Sequence, residues 1–90
     1  MHEATITVDN KDGLHARPAA VFVQTARYFK SKITIENHNR PEKKPAPISA
    51  FNLLQMGVKS GHTITIRAEG EDEAAAIMAL VRLVEEKFGE

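Results

Sequence analysis

The chain has no cysteine and no tryptophan. Without cysteine there is no disulfide framework and no thiolate zinc site. It also has no net charge, because 12 Lys and Arg balance 12 Asp and Glu. Such a balance argues against a nucleic-acid binder, which usually shows a basic excess. The longest uninterrupted apolar run, residues 74–81, is too short to cross a bilayer. The opening residues Met1-His2-Glu3-Ala4-Thr5 carry neither the basic block nor the apolar block of a secretory signal. A cytoplasmic location without membrane insertion is therefore expected. There is no glycine-rich nucleotide loop, no internal repeat and no low-complexity tract; Gly57, Gly61 and Gly70 read as turn glycines. His2, His38 and His62 lack metal-ligand spacing, so neither metal nor cofactor is expected.

What remains suits one small folded unit over residues 1–90, with 42% apolar residues. Residues 3–8 alternate polar and apolar, predicting a strand with Ala4, Ile6 and Val8 inward. Asp9 to Gly13 is a turn cluster. From Ala16 to about Phe29 the period turns helical, with Ala19, Phe22, Val23, Ala26 and Phe29 on one face. Residues 32–36 alternate again around Ile33 and Ile35. Residues 40–47 contain three prolines, which donate no ladder hydrogen bonds, so this stretch is an edge strand at best. Ser49 reads as the N-cap of a short helix to about Met56, closed by Gly57 in the left-handed conformation. Residues 62–68 form a strand around Ile64 and Ile66. A last helix from about Glu71 to Phe88 has the stripe Ala74, Ile77, Val81, Val84 and Phe88, with acidic residues in its first turn.

A right-handed crossover joins the first two strands in parallel, and a gap between them admits the last strand antiparallel to both. The predicted fold is α+β: a two-layer open-faced β-sandwich. Its four-stranded antiparallel sheet has the order 1-4-2-3, with two long helices and one short helix on one face. The other face stays wet, carrying Thr5, Thr7, Thr34, Thr63 and Thr65.

The chemistry concentrates in Gly13-Leu14-His15-Ala16-Arg17-Pro18-Ala19-Ala20. His15 stands one step before a helix, Arg17 lies two residues on, and Pro18 is tolerated in the first turn. Imidazole is nucleophilic near neutral pH. The first N–H groups of a helix lack internal partners, and the dipole favours an anion there. A guanidinium adds a fork of donors matched to phosphate oxygens. The pattern predicts a site that carries a phosphoryl group on His15. Arg17 stabilises it, and the backbone at Ala16 and Arg17 binds the phosphate.

Over its whole length, and in the order of its elements, the chain resembles the HPr family of phosphocarriers. The octapeptide around His15 is the specific motif; Ser49 to Val58 and Ala68 to Glu73 are looser ones. The resemblance implies a carrier rather than an enzyme. The histidine matching His15 takes a phosphoryl group on Nδ1 from enzyme I, charged by phosphoenolpyruvate. It passes the group to the IIA components of sugar permeases. In Gram-positive members the serine matching Ser49 is phosphorylated by an ATP-dependent HPr kinase/phosphorylase. A catabolite-control regulator is then a further partner. A monomer is expected, with an interface through Ala20, Phe51 and Leu54. Four features depart from the family pattern: Asp12 before the site, the long proline-rich stretch before Ser49, Ile48 in place of a lysine, and Phe51-Asn52 in place of Met-Gly. All but Asp12 bear on kinase recognition of Ser49 rather than on His15.

Each residue also has a plainer reading. His15 could cap a helix, Arg17 could be a solvated charge, Ser49 could be only an N-cap, and Phe51 and Leu54 could fill the core. Two rival functions stand beside the carrier. One is a regulatory module of the same fold acting through Ser49. The other is a small nucleic-acid binder, disfavoured by zero net charge and by threonines where stacking aromatics would sit.

Overall fold

A computed structural model describes residues 1–89. The elements run β1 (His2–Val8), α1 (Ala16–Arg27), β2 (Lys32–Asn37), β3 (Ala46–Pro47), α2 (Ala50–Met56), β4 (His62–Glu69) and α3 (Glu73–Glu85), followed by a 3₁₀ turn (Lys87–Gly89). The sheet order is β1-β4-β2-β3 and every pairing is antiparallel, as the alternation and crossover rule predict. The register aligns Ile6 with Ile64, Ala4 with Ile66, and Ile35 with Ile66, so one face of the sheet is continuously apolar. The helices cover that face, and Phe22, Leu53 and Leu80 are fully buried against it. Among the described residues no helix is long and apolar enough to cross a membrane.

Several expectations need correction. The weak strand shrinks to Ala46 and Pro47, paired with Ile35 and Thr34, because prolines on either side cannot extend the ladder. The first helix stops at Arg27 rather than Phe29, although Phe29 still packs on the core. The last helix begins at Glu73, with Asp72 as an N-cap residue whose side chain does not cap it. Its carboxylate accepts from the N–H groups of Lys30 and Ser31, tying the α1–β2 loop to the start of α3. The buried stripe of α3 is Ala76, Ile77, Leu80 and Val84, while Ala74 is exposed. Phe88 is buried as predicted, but not by continuing the helix. Lys87 and Phe88 adopt positive φ, and the turn swings the Phe88 ring to 6.3 Å from Phe22.

The open face is less wet than predicted. Thr65 is only 2% exposed. Its hydroxyl meets Thr5 Oγ1 at 2.8 Å and His38 Nε2 at 2.6 Å, so a cross-strand pair and a loop histidine cover it.

Candidate functional site

His15 is the N-cap of α1, with extended φ and ψ of −124° and 161°. Its side chain makes no capping hydrogen bond, so the half-buried imidazole is not committed to the helix it begins. Ala16 follows at φ 52°, a left-handed conformation rare for a residue with a β-carbon. Such strain costs on the order of 1 kcal/mol and persists only where the surroundings enforce it.

Three hydrogen bonds enforce it from the N-terminal side. Gly13 N–H donates to Asn10 O at 3.2 Å, Asn10 Nδ2 donates to Gly13 O at 3.0 Å, and Leu14 N–H donates to Val58 O at 3.0 Å. Gly13 lies at φ 60°, and a β-carbon there would stand 2.5 Å from the Val58 carbonyl oxygen. Only glycine lets the two backbones approach so closely. Asn10 and Val58 are therefore part of the site's support. Neither was identified in the sequence, where Asn10 reads only as a turn residue.

Arg17 lies in the first turn as predicted and is exposed. Its Nη1 donates to the carbonyl of Phe88 at 3.2 Å. This contact joins the first turn of α1 to the chain beyond α3, and nothing in the local sequence announces it. Asp12 is exposed, outside the bonds that shape the loop. Pro18 and Ala19 are buried, whereas Ala20 is exposed on the same first turns.

Ser49 is the N-cap of α2, and its Oγ accepts from Asn52 N–H at 3.1 Å. Asn52 Nδ2 in turn donates to Pro47 O at 2.8 Å. Gly57 closes the helix at φ 58° and ψ 41°, the predicted left-handed cap. Leu53 and Met56 are buried, while Phe51 and Leu54 are 69% and 61% exposed. The core reading of Phe51 and Leu54 is thus excluded. The far end of α2 adjoins the His15 loop through Val58, and the seven residues of α2 set Ser49 back by about 10 Å.

The same arrangement recurs in known proteins. The model for the PTS HPr component phosphorylation site matches residues 2–86. The chain belongs to the HPr family. It is 49% identical to HPr-C-His from Thermoanaerobacter tengcongensis, covers 100% of this chain and 98% of that one, and superposes with a TM-score of 0.93. It is 42% identical over 87 residues to the HPr-like protein Crh of Halalkalibacterium halodurans, covering 97% of this chain and 100% of that protein. The multiphosphoryl transfer protein of Haemophilus influenzae is 38% identical over 86 residues, but the chain spans only 17% of its length. The HPr fold is thus shared with both carrier-named and Crh-named relatives, and HPr-family proteins are phosphocarriers rather than catalysts.

Proposed function

We propose that this chain is a cytoplasmic phosphoryl carrier that accepts a phosphoryl group on His15 from enzyme I and passes it to the IIA components of sugar permeases. The observation that carries the proposal is the open N-terminus of α1: a free imidazole at the N-cap, an arginine in the first turn, and no side chain capping the first N–H groups. Membership of the HPr family supports it.

In this reading the Nδ1 lone pair of His15 attacks the phosphorus held on the donor's histidine. The new P–N bond forms as the donor's P–N bond breaks, and the electron pair returns to the donor imidazole. The N–H groups at Ala16 and Arg17, with the positive end of the α1 dipole, stabilise the phosphoryl oxygens. Helix-end effects of about 1 kcal/mol hold the group without trapping it. Arg17 must leave the Phe88 carbonyl, or share its donors, to reach the phosphate. The chain acts as a substrate and donor in a relay, and as a monomer through Ala20, Phe51 and Leu54. Some relatives assemble further: one structure is an HPr dimer from Thermoanaerobacter tengcongensis, another a swapped dimer of Bacillus subtilis Crh.

The test is intact mass after incubation with phosphoenolpyruvate and enzyme I. One phosphoryl group lost in acid, and absent from His15→Ala, is the expected result. No addition to the wild-type protein defeats the carrier reading.

The second reading is a regulatory module acting through Ser49, supported by the similarity to Crh. Its partners would be HPr kinase/phosphorylase and a catabolite-control regulator. The Ser49 hydroxyl is engaged as a helix cap, so a kinase must draw it from Asn52 N–H. An acid-stable phosphate added by ATP and that kinase, and lost in Ser49→Ala, would establish it.

A further inference from the structure

The two outer strands of the sheet differ in length, and the shorter one leaves a cavity. Strand β3 is only Ala46 and Pro47, and its last rung is the Ile48 N–H donating to Ile33 O at 3.1 Å. Beyond it the chain turns into α2. Lys32 is thus opposite Glu69 of β4 on one side and, among the described residues, has no strand on the other. A cavity of about 560 Å³ opens there, between the end of α1 and the uncovered edge of β2. Its volume lies in the range of small-molecule sites. It is remote from the phosphoryl site, because Arg27 stands about 18 Å along α1 from the N-cap His15.

The walls of this cavity are largely apolar. Ala26 and Ile33 are buried, and Phe29 and Ile48 are half-buried. Tyr28 meets the Phe29 ring edge-on, with centroids 5.2 Å apart, and so steadies that wall. Two cations, Arg27 and Lys32, line the same cavity, and both are exposed. Among the described residues no carboxylate lines it. Glu69 stands opposite Lys32 in the ladder, yet no carboxylate among the described residues lies within ion-pair distance of Lys32 or Arg27. An arginine in the last turn also suits the helix dipole. The last turn of α1, however, is already bonded: Tyr28 N–H donates to Thr25 O and Phe29 N–H to Ala26 O, each at 3.2 Å. The guanidinium fork is thus available for a carboxylate, which it matches through two parallel N–H bonds.

We propose that this cavity binds a small organic acid, with its apolar body against Phe29, Ile33 and Ile48 and its carboxylate on Arg27 and Lys32. Charge complementarity selects the acid. An apolar hollow alone takes any molecule of the right shape, but two cations with no carboxylate beside them favour an anion. The occupant touches Ile48, the residue before the Ser49 cap, so binding steadies the segment on which α2 starts. The inference goes beyond the carrier reading and does not rest on it, because the cavity shares no residue with the His15 loop.

The experiment titrates the protein with phenylbutyrate, phenylbutanol and phenylbutylamine and follows the backbone amide shifts by NMR. The acid saturates with a Kd on the order of 1 mM and moves the amides of Ala26, Ile33 and Ile48 most. The alcohol binds about tenfold more weakly, and the amine more weakly still. Arg27→Ala and Lys32→Ala each weaken the acid about threefold, whereas Lys43→Ala, a cation outside the cavity, leaves its Kd unchanged. Both cavity cations are exposed, so these variants keep the fold. Shifts that never saturate overturn the inference, as does equal affinity for acid and alcohol. A Kd unaltered in both Arg27→Ala and Lys32→Ala overturns it too. So do shifts centred on Phe51 and Leu54, which would place the acid on the exposed side chains of α2. The titration needs no phosphoryl donor, so its outcome is separate from that of the carrier test.

Discussion

The two helix N-termini of this protein are built in opposite ways. That of α2 is capped: Ser49 Oγ accepts from Asn52 N–H, and Asn52 Nδ2 reaches back to the Pro47 carbonyl. That of α1 is left open: His15 occupies the capping position without capping, and Ala16 sits at φ 52°. A capped terminus stabilises the fold by about 1 kcal/mol and has one N–H fewer to offer a ligand. An open terminus forgoes that stability and keeps its donors for an anion. Under the proposed carrier function, that difference is what suits the start of α1 to hold a phosphoryl group.

The largest way to break the contrast is to unfasten the loop that holds α1 open. Gly13→Ala forces a β-carbon against the Val58 carbonyl at a left-handed position. A loss of about 3 kcal/mol is expected in denaturant unfolding. A loss below about 1 kcal/mol would mean the loop yields and does not set the geometry of His15.

The closed terminus supplies the next test. Ser49→Ala removes the acceptor for Asn52 N–H and costs about 1 kcal/mol, whereas Ser49→Asp keeps a capping oxygen and costs little. Equal losses in both variants would deny the capping role. The strained residue gives a smaller effect of opposite sign. Ala16→Gly relieves the positive φ but gains chain entropy on unfolding, so a net stabilisation of about 0.5 kcal/mol is expected. Destabilisation by the ~1 kcal/mol of a mid-helix glycine would show that Ala16 is not strained.

The third helix terminus calibrates the other two by pH. Hydrogen bonds from the Ser31 hydroxyl, and then from the Lys30 N–H, hold Asp72 below its ordinary value of 3.8. Glu73 is pulled from 4.5 to about 2, first by the N-terminal ammonium and then by His2. A carboxylate with a depressed folded pKa contributes stability above its unfolded pKa and loses it as pH falls toward the folded one. Unfolding temperature should therefore decline from about pH 4.5 toward pH 2, and Glu73→Gln should flatten that decline. An unaltered pH profile in Glu73→Gln would count against the contacts at the start of α3.

Much of the architecture was legible because side-chain periodicity and turn chemistry are local. Alternation around Ile6, Ile35 and Ile64 marks strands, Ser49 and Gly57 mark the ends of α2, and a crossover rule orders the sheet. The larger misses are non-local. Asp72 starts α3 as its N-cap residue but does not cap it with its side chain, because the carboxylate is spent on residues some forty positions earlier. Thr65 alternates like a wet residue, yet His38 folds over it from a loop. In the site, His15 and its helix were legible. The support from Asn10 and Val58 and the Arg17 contact with Phe88 were not, because each joins elements distant in the chain or hides in a turn.

By itself the sequence determined the strand and helix faces, the two caps of α2, and the octapeptide that sets an imidazole and a guanidinium on one helix turn. These follow from the side-chain period and from backbone propensity, which act over a few residues. Only the tertiary structure decided that Phe51 and Leu54 face outward, that Arg40 covers the end of α2, and that Arg17 rests on a carbonyl beyond α3. Those outcomes depend on which surfaces remain uncovered after β4 enters between β1 and β2 and the helices close over one face. That is a competition for burial among distant segments, and no local pattern records it.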